Sequence, residues 1–239
     1  MGTDTTDVTC PACGGKGTLA LIRRDRAPFY RCNECGLWFT TINVSAIPEP
    51  MSPTRPNWQR KLLHKVTCHL PVERLLDIGC GDGSFLDIAE ELGIRAIGVD
   101  LAPPRPDSRI RVGNFLEMKF GWVDLVTAWD VIEHIWDLRK FVAQVRQVSS
   151  VFLLSTPDAA YTNAFTHAME HVCLFTAGPL RRLLASQFSS GIVLRYVQRS
   201  LQWGESGKLI ALATERPFPM SFPRRLEDWT YQGAWTWDR

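Results

Sequence analysis

Glycines and acids near residue 80 have the types and spacing of a ligand-binding turn. An apolar run reaches Asp77, and three glycines follow at alternate positions: Gly79, Gly81 and Gly83. Glycine permits positive φ angles and lets backbone N–H and C=O groups approach a ligand that a Cβ would hold off. Seventeen residues after Gly83, the segment AIGVD ends in Asp100, and a carboxylate at the tip of a strand can accept both hydroxyls of a ribose. Together these residues predict a nucleoside site.

The glycine spacing distinguishes between two kinds of nucleoside ligand. A dinucleotide fingerprint reads G-x-G-x-x-G/A, whereas Ser84 takes the sixth position here and the glycines fit G-x-G-x-G. The carboxylate of Asp77, just before the turn, would repel a pyrophosphate and attract the ammonium group of a methionine. The pattern therefore favours S-adenosylmethionine over a nicotinamide or flavin dinucleotide.

Four further motifs follow the turn. They are VGNF at 112–115, VDLVTAWDVIEHI at 123–135, VFLLSTPD at 151–158 and EHVCLFT at 170–176. With the glycine turn, they resemble in the same order the landmarks of class I S-adenosylmethionine-dependent methyltransferases of the small-molecule type, over about residues 60–214. The resemblance implies an α/β fold with a Rossmann-like, seven-stranded, mostly parallel sheet and helices on both faces.

The same resemblance implies which residues contact the cofactor S-adenosylmethionine. Asp77 would face the methionine ammonium, and Asp100 would bind the ribose. Asn114 stands where the family usually has Asp and keeps the acceptor that binds adenine. The implied set is Asp77, Gly79, Gly81, Gly83, Asp100, Leu101, Asn114, Phe115, Trp129 and Asp130.

Two histidines are candidates for a general base. An alcohol or phenol acceptor must lose its proton, and a neutral imidazole is suited to accept it near pH 7. His134 belongs to the DVIEH motif, and His171 lies in the segment that the resemblance places on the acceptor side. His167, four residues before His171, would share its face if that stretch were helical. Each candidate could instead be a structural histidine that hydrogen-bonds a loop.

The DVIEH motif also offers Asp130, Glu133 and His134 as ligands for a divalent cation. Quinone-pathway O-methyltransferases have a similar acidic-acidic-His pattern, which implies a metal that orients the acceptor. The favoured alternative is that the acids stabilise the N-terminus of a helix through its dipole.

The order of apolar runs predicts how these residues are positioned. Alternation of strand-like runs with helical periodicity implies a parallel sheet covered on both faces. The runs are at 73–78, 95–100, 123–128 and 151–155, and the helical periodicity is at 84–93 and 139–148.

The chain after residue 175 predicts a different ending for the sheet. Thr176 is a candidate N-cap for a helix through Phe188. Two strand-like runs at 192–200 and 208–214, separated by a loop at 203–207, predict a closing hairpin. A reversed last strand is typical of the methyltransferase fold and unusual for a dinucleotide-binding fold.

Four cysteines near the N-terminus predict a structural zinc site. Cys10-x2-Cys13 and Cys32-x2-Cys35 are eighteen residues apart, and each pair is followed by a glycine where a zinc knuckle turns. Disulfides or a redox pair are the alternatives, but the polar residues 1–9 show no secretory signal. The remaining cysteines, Cys68, Cys80 and Cys173, are expected to be packing residues rather than nucleophiles.

Charge argues against nucleic acid as a partner. Residues 1–50 contain five Lys or Arg and five Asp or Glu, and the whole chain has a net charge of only +2. A domain that displaces counterions from phosphates should be clearly basic. Arginines 23, 24 and 26 and the aromatics Phe29, Tyr30, Trp38 and Phe39 could still grip a single strand. The favoured interpretation is that they form the apolar and solvated faces of a small domain.

Four segments are expected along the chain. They are a zinc ribbon at 1–46, a Pro-rich linker at 47–57, the methyltransferase domain at 58–215 and a Trp-, Pro- and Arg-rich extension of unassigned role at 216–239. No apolar run reaches the roughly 18 residues of a membrane span. Reduced thiolates favour a cytoplasmic setting. The ribbon could serve as a substrate lid or as the contact of a homodimer.

The sequence therefore predicts an enzyme that methylates a hydroxyl of a small molecule, sugar or glycan. Two alternatives stay open. One is an RNA methyltransferase that uses the zinc ribbon to bind nucleic acid. The other is a protein that binds S-adenosylmethionine without catalysis.

Overall fold

The computed structural model describes residues 8–23, 26–42, 57–161, 170–200, 204–217, 225–226 and 229–238. His167 and the predicted linker, apart from residue 57, lie outside these ranges. Within them, no helix combines the length and apolar character that a membrane crossing needs.

The larger sheet contains nine strands in the described part of the chain. Five of them, β5 to β9, run parallel; the alternating pattern predicted four of these, and β7 was not predicted. The spatial order is β13-β14-β11-β12-β9-β8-β5-β6-β7. The strands are β5 Arg74–Ile78, β6 Arg95–Asp100, β7 Ile110–Val112, β8 Leu125–Trp129, β9 Val151–Pro157, β11 Ser190–Ser200, β12 Gly204–Thr214, β13 Arg225–Leu226 and β14 Trp229–Asp238.

The expected count of seven strands needs correction, because the C-terminal extension adds two. Strand β14 pairs antiparallel with β11, and β13 pairs with β14. The predicted closing hairpin is present as β11 and β12, with β12 antiparallel to β9. Strand β12 already begins at Gly204, so most of the expected loop at 203–207 is strand.

Helices cover both faces of this sheet. The helices α1, Asn57–Thr67, and α2, Ser84–Glu91, pack in one apolar cluster with Trp58, Leu62 and Phe85. The helices α3, Leu138–Val148, and α4, Ala177–Ala185, pack in the other cluster.

Helix α4 differs from its prediction at both ends. Thr176 occupies the N-cap position, but its side chain makes no capping hydrogen bond. The helix ends at Ala185 rather than at Phe188, and Phe188 instead lies fully buried in the core.

A smaller antiparallel sheet is built by the N-terminal segment. Its strands are β1 Val8–Thr9, β2 Lys16–Ile22, β3 Pro28–Cys32 and β4 Trp38–Thr40, with β10, Cys173–Leu174, as the fifth. The last strand comes from the region assigned to the methyltransferase domain. The two parts of the chain therefore share a sheet, and the boundaries between them stay predictions.

Candidate functional site

The glycine turn joins β5 to α2 and has the backbone that its sequence predicted. Gly79, Gly81 and Gly83 have φ angles of 69°, 54° and 79°, which disfavour any residue with a Cβ. A Cβ on Gly79 would also lie 2.4 Å from Cγ2 of Val131. The turn therefore packs directly against the residues that follow β8.

Asp100 ends β6 and fixes the turn through its carboxylate. One oxygen accepts the N–H of Gly81 at 2.9 Å, and the other accepts the N–H of Ala102 at 2.9 Å. Leu101, which the resemblance adds to the cofactor site, is 73% exposed. An exposed apolar side chain beside a fixed carboxylate is compatible with a nucleoside lying over this strand end.

Asp77 is buried on β5, with 1% of its surface exposed. Thr127 donates to its carboxylate at 2.6 Å. Burial raises the pKa of Asp77 to about 8, with a further contribution from the nearby charge of Asp100. The free protein therefore holds this carboxyl protonated near pH 7, where the sequence suggested a charged one.

Asn114 and Phe115 are both engaged in local structure. The Asn114 side chain caps a short 3-10 helix, Phe115–Glu117, by accepting the N–H of Leu116 at 3.0 Å. The Phe115 ring is 4% exposed and packs edge-on against Phe141. An adenine would have to bind the lone pairs and N–H groups of the Asn114 carboxamide that the hydrogen bond from Leu116 leaves available.

Trp129 and Asp130 end β8. The Trp129 ring packs edge-on against Trp58 and Phe85, with ring centroids 5.3 and 5.0 Å away. Asp130 has a φ of 54°, and its carboxylate accepts from Ser155 Oγ at 2.9 Å and from the ammonium of Lys208. Burial opposes ionisation of Asp130, but the charge of Lys208 and the hydrogen bonds from Lys208 and Ser155 together lower its pKa.

Two histidines and a glutamate form a cluster in which Glu133 and His171 are buried and His134 is half-buried. The ring centroids of His134 and His171 are 4.9 Å apart, and Nε2 of His171 lies 3.8 Å from Oε1 of Glu133. Glu133 is 1% exposed, and its other oxygen accepts from Thr156 Oγ1 at 2.9 Å. The two predicted base candidates are therefore neighbours.

The protonation of this cluster is set mainly by burial. Burial and the proximity of His134 lower the pKa of His171 to about 3, and burial also lowers the pKa of His134. Burial and the charge of Asp130 raise the pKa of Glu133 to about 8. All three groups are therefore neutral near pH 7 in the free protein.

Two polar atoms of the cluster have no hydrogen-bond partner among the described residues: Oε1 of Glu133 and Nδ1 of His171. Buried polar atoms are rarely left unpaired, so a partner is expected for each of the two. They could meet an acceptor hydroxyl or a cation.

The residues that could hold a cation differ from the predicted set. Ligand atoms of Glu133, His134 and His171 all lie within 4.8 Å of one another. The expected ligand Asp130 is outside this group, because its carboxylate is held by Ser155 and Lys208. His171 takes its place.

The four N-terminal cysteines converge as a zinc site requires. Their sulfurs lie within 4.8 Å of one another, and the Cys10–Cys35 and Cys13–Cys32 sulfurs are 3.6 and 3.4 Å apart. Tetrahedral bonds of about 2.3 Å place sulfurs about 3.8 Å apart. A hydrogen bond from Cys35 lowers the pKa of Cys10 to about 5, which favours a thiolate. The residues fit Zn²⁺.

The other cysteines behave as packing residues where they are buried. Cys80 lies in the turn, and its Sγ is 2.3 Å from where a Cβ on Gly98 would stand. Cys173 is 1% exposed. Cys68 is exposed beside His64, so the prediction that it packs in the core was wrong.

Sequence reasoning missed several partners of the site. Lys208 reaches Asp130 from β12, and Thr127, Ser155 and Thr156 reach the acids from neighbouring strands. A polar residue inside an otherwise apolar strand was the available signal. The partner of such a residue depends on the pairing of strands that are far apart in the chain, so local sequence does not identify it.

Comparison with known proteins agrees with this geometry. A family model described as a methyltransferase domain matches residues 49–187, more than half of the chain. A Mycolicibacterium smegmatis protein named as a probable S-adenosylmethionine-dependent methyltransferase is 36% identical over 99 residues. A Mycobacterium tuberculosis protein named in the same way is 32% identical over 97 residues. These matches cover 35% of this chain and 38% and 35% of the two relatives.

Solved structures share the fold. An S-adenosylmethionine-dependent methyltransferase from Archaeoglobus fulgidus superposes with a TM-score of 0.55 at 16% identity, over 67% of this chain and 94% of that one. The N-terminal domain of EvdMO1, crystallised with S-adenosylhomocysteine, has a TM-score of 0.50 at 14% identity, over 70% of this chain and 83% of that domain.

Proposed function

Because this chain belongs to the S-adenosylmethionine-dependent methyltransferases, we propose that it methylates a hydroxyl oxygen of a small molecule, sugar or glycan. One observation carries the proposal. The half-buried imidazole of His134, a few residues beyond β8, lies 4.9 Å from the buried imidazole of His171, and the glycine turn packs against Val131 between β8 and His134. An oxygen nucleophile needs a proton acceptor close to the methyl group.

The residues of the turn would bind and orient the cofactor. Asp100 is positioned to accept the ribose hydroxyls while it also fixes the loop through Gly81. Asp77 would face the methionine ammonium, whose charge would ionise the carboxyl. Transfer itself is an in-line displacement, so alignment of the acceptor oxygen with the methyl carbon supplies most of the rate.

The reaction releases a proton, and the histidines are the proposed acceptors of it. Transfer of a methyl cation from the sulfonium to R–OH gives R–OCH₃, a neutral thioether and one proton. We propose that His171 takes this proton, with His134 as the other candidate. Glu133, whose Oε1 lies 3.8 Å from Nε2 of His171, would accept a hydrogen bond from the resulting imidazolium and keep its own proton.

A divalent cation is the alternative way to activate the hydroxyl. Glu133, His134 and His171 would hold it, and it would lower the pKa of a bound hydroxyl. If chelation and the later addition of Mg²⁺ or Mn²⁺ each leave the rate unchanged, the histidines act as bases without metal.

The ribbon cysteines would hold a structural Zn²⁺. Zinc supplies folding energy to small modules that have little apolar core, and the N-terminal segment is such a module.

Part of the surface that would bind RNA in the alternative function is buried. Phe29 and Phe39 are buried at 0% and 1% exposure, and Arg23 is 6% exposed. These side chains are not positioned to stack or pair with a single strand. Label from [methyl-¹⁴C]S-adenosylmethionine should enter a small-molecule or glycan extract; label in the RNA fraction would support the alternative.

His171→Asn provides the sharper test of the base. We expect turnover to fall by about 10²–10⁴-fold with cofactor affinity unchanged, because the imidazole acts only on the acceptor proton. His64→Asn, at an exposed histidine on α1, is the matched control. Near-normal turnover of His171→Asn would move the role to His134. If calorimetry gave no heat with S-adenosylmethionine, the catalytic proposal as a whole would be wrong.

A further inference from the structure

The segment that carries His171 is held by the N-terminal sheet on one side. Strand β10 pairs antiparallel with β4, with Cys173 opposite Phe39 and Leu174 opposite Trp38. The N–H of Thr40 donates to the carbonyl of Val172 at 3.0 Å. The backbone on the C-terminal side of His171 is thus part of the ribbon sheet.

Arg23 holds the histidine itself. Its Nη1 donates to the carbonyl of His171 at 3.0 Å, and the guanidinium lies 5.0 Å from the centre of the Phe29 ring. The side chain is 6% exposed. A buried guanidinium is costly unless its hydrogen bonds are made, so its contact with this carbonyl is a built feature of the interface.

The other side of the same segment belongs to the methyltransferase domain. The N–H of Val172 donates to the carbonyl of Glu133 at 2.9 Å, and Nδ1 of His134 lies 3.4 Å from the carbonyl of Glu170. Both histidines are therefore fixed through one short stretch, residues 170–172, which lies between the ribbon and the 3-10 helix Ile132–His134.

We propose that the ribbon is a positioning module for the acceptor side, in which Arg23 acts through the His171 carbonyl to align the two imidazoles. The inference rests on the proposed roles of His171 and of the cysteine cluster. It makes Arg23 a positioning residue, since its hydrogen bond to His171 is made to the backbone carbonyl.

The cysteine cluster explains how a small module could be rigid enough for this task. Cys10, Cys32 and Cys35 share an apolar cluster with Phe39 and Cys173. Strands β3 and β4 pair with each other and are joined through the second cysteine pair. A Zn²⁺ bound there would therefore fix β4, which is the strand that pairs with β10. Loss of the metal should release residues 170–174 before it affects the glycine turn.

The test uses the full chain with ¹⁵N-labelled histidine and backbone. Arg23→Ala removes the bond to His171, Arg23→Lys restores one donor, and Arg182→Ala is the matched control. Arg182 also donates to a carbonyl across the same interface, that of Glu34 at 3.0 Å, but at an exposed position away from the histidines.

We expect the amides of Thr40 and Val172 to exchange about 10–100-fold faster in Arg23→Ala, because one charge-assisted hydrogen bond is lost. The ring signals of His134 and His171 should shift and broaden, and Arg23→Lys should recover part of both effects. Arg182→Ala should change neither by more than about twofold. In every variant the Gly79 amide, bonded to Val99, should keep its protection, and the heat of S-adenosylhomocysteine binding should be unchanged.

Each failure would have its own signature. Unchanged exchange and ring signals in Arg23→Ala, or equal changes in Arg182→Ala, would overturn the positioning role of Arg23. Native mass spectrometry without one Zn²⁺ per chain would overturn the metal's part in it. Absence of heat with S-adenosylhomocysteine would overturn the proposed function and leave the exchange result to decide the positioning role by itself.

Discussion

The carboxylate of Asp100 has two tasks: it fixes the glycine turn, and we propose that it contacts the cofactor. Its carboxylate fixes the N–H groups of Gly81 and Ala102, and we propose that it also binds the ribose. Asp100→Ala should weaken S-adenosylmethionine binding by about 1–3 kcal/mol, since a charged acceptor is lost. Calorimetry measures this. Asp124→Ala is the control, because Asp124 likewise accepts two backbone N–H groups, those of Glu73 and Arg74, but lies elsewhere on the sheet. Equal affinity losses in both variants would indicate a general loss of structure.

The proposed contact between Asp77 and the methionine ammonium would make cofactor binding depend on pH in a defined direction. Burial raises its pKa to about 8, so the free protein is protonated there at pH 6, while a bound ammonium favours the carboxylate. Binding then releases a proton, and affinity should rise between pH 5.5 and 7.5 by up to about tenfold per unit. Above that range the ligand's α-amino group, with a pKa of about 8, begins to lose its own charge.

The same proton affects folding with the opposite trend. Because the folded pKa of Asp77 lies above the unfolded one, this group's contribution to stability falls as the pH rises from about 4 to about 8. Asp77→Asn should remove both dependences, and calorimetry in buffers of different ionisation enthalpy should count the released proton. A wild-type affinity that is flat with pH would show that Asp77 does not meet the ammonium.

Local sequence predicted the elements that depend on local rules. The parallel strands β5, β6, β8 and β9 follow from apolar runs, and the turn at Gly79 follows from its glycines. Strand β14 was not predicted, since six of its nine residues from Thr230 are exposed and its tryptophans stand among prolines and arginines. Arg23 and Lys208 were missed because their partners, 148 and 78 residues away, are set by packing between elements.

The turn between β5 and α2 should tolerate no side chain at its first glycine. Gly79→Ala combines a left-handed φ of 69° with a 2.4 Å approach to Val131. Gly93→Ala is the matched control, since Gly93 has a φ of 81° with nothing within 4 Å of its Cβ position. Urea unfolding should give a loss of about 1–2 kcal/mol for Gly93→Ala and about 1–3 kcal/mol more for Gly79→Ala. The additional loss in Gly79→Ala should shrink in a Val131→Ala background. If it does not shrink, the backbone has moved to relieve the clash, and the additional loss comes from that movement.

At the scale of the whole molecule, the proposed cofactor site and the C-terminal extension lie at different parts of one sheet. Five strand-to-strand steps separate β14 from β5, which corresponds to about 24 Å at about 4.8 Å per step. The extension therefore belongs to the folded core without belonging to the cofactor site. It covers the edge of β11 that would otherwise be open.

Trp237 is the residue through which this division can be tested. It is 8% exposed, its ring fills the space above Gly191, and its Nε1 donates to the carbonyl of Phe188 at 3.1 Å. Trp237→Ala should lower the free energy of unfolding by about 3–5 kcal/mol, because a large buried ring leaves a cavity. Trp235→Ala, on the same strand and only partly buried, should cost less. Below the unfolding transition, cofactor affinity should be unchanged in both variants. If Trp237→Ala lowered both affinity and stability, the extension would also affect the proposed cofactor site. The structural change at β14 would then extend over the five strand-to-strand steps to β5.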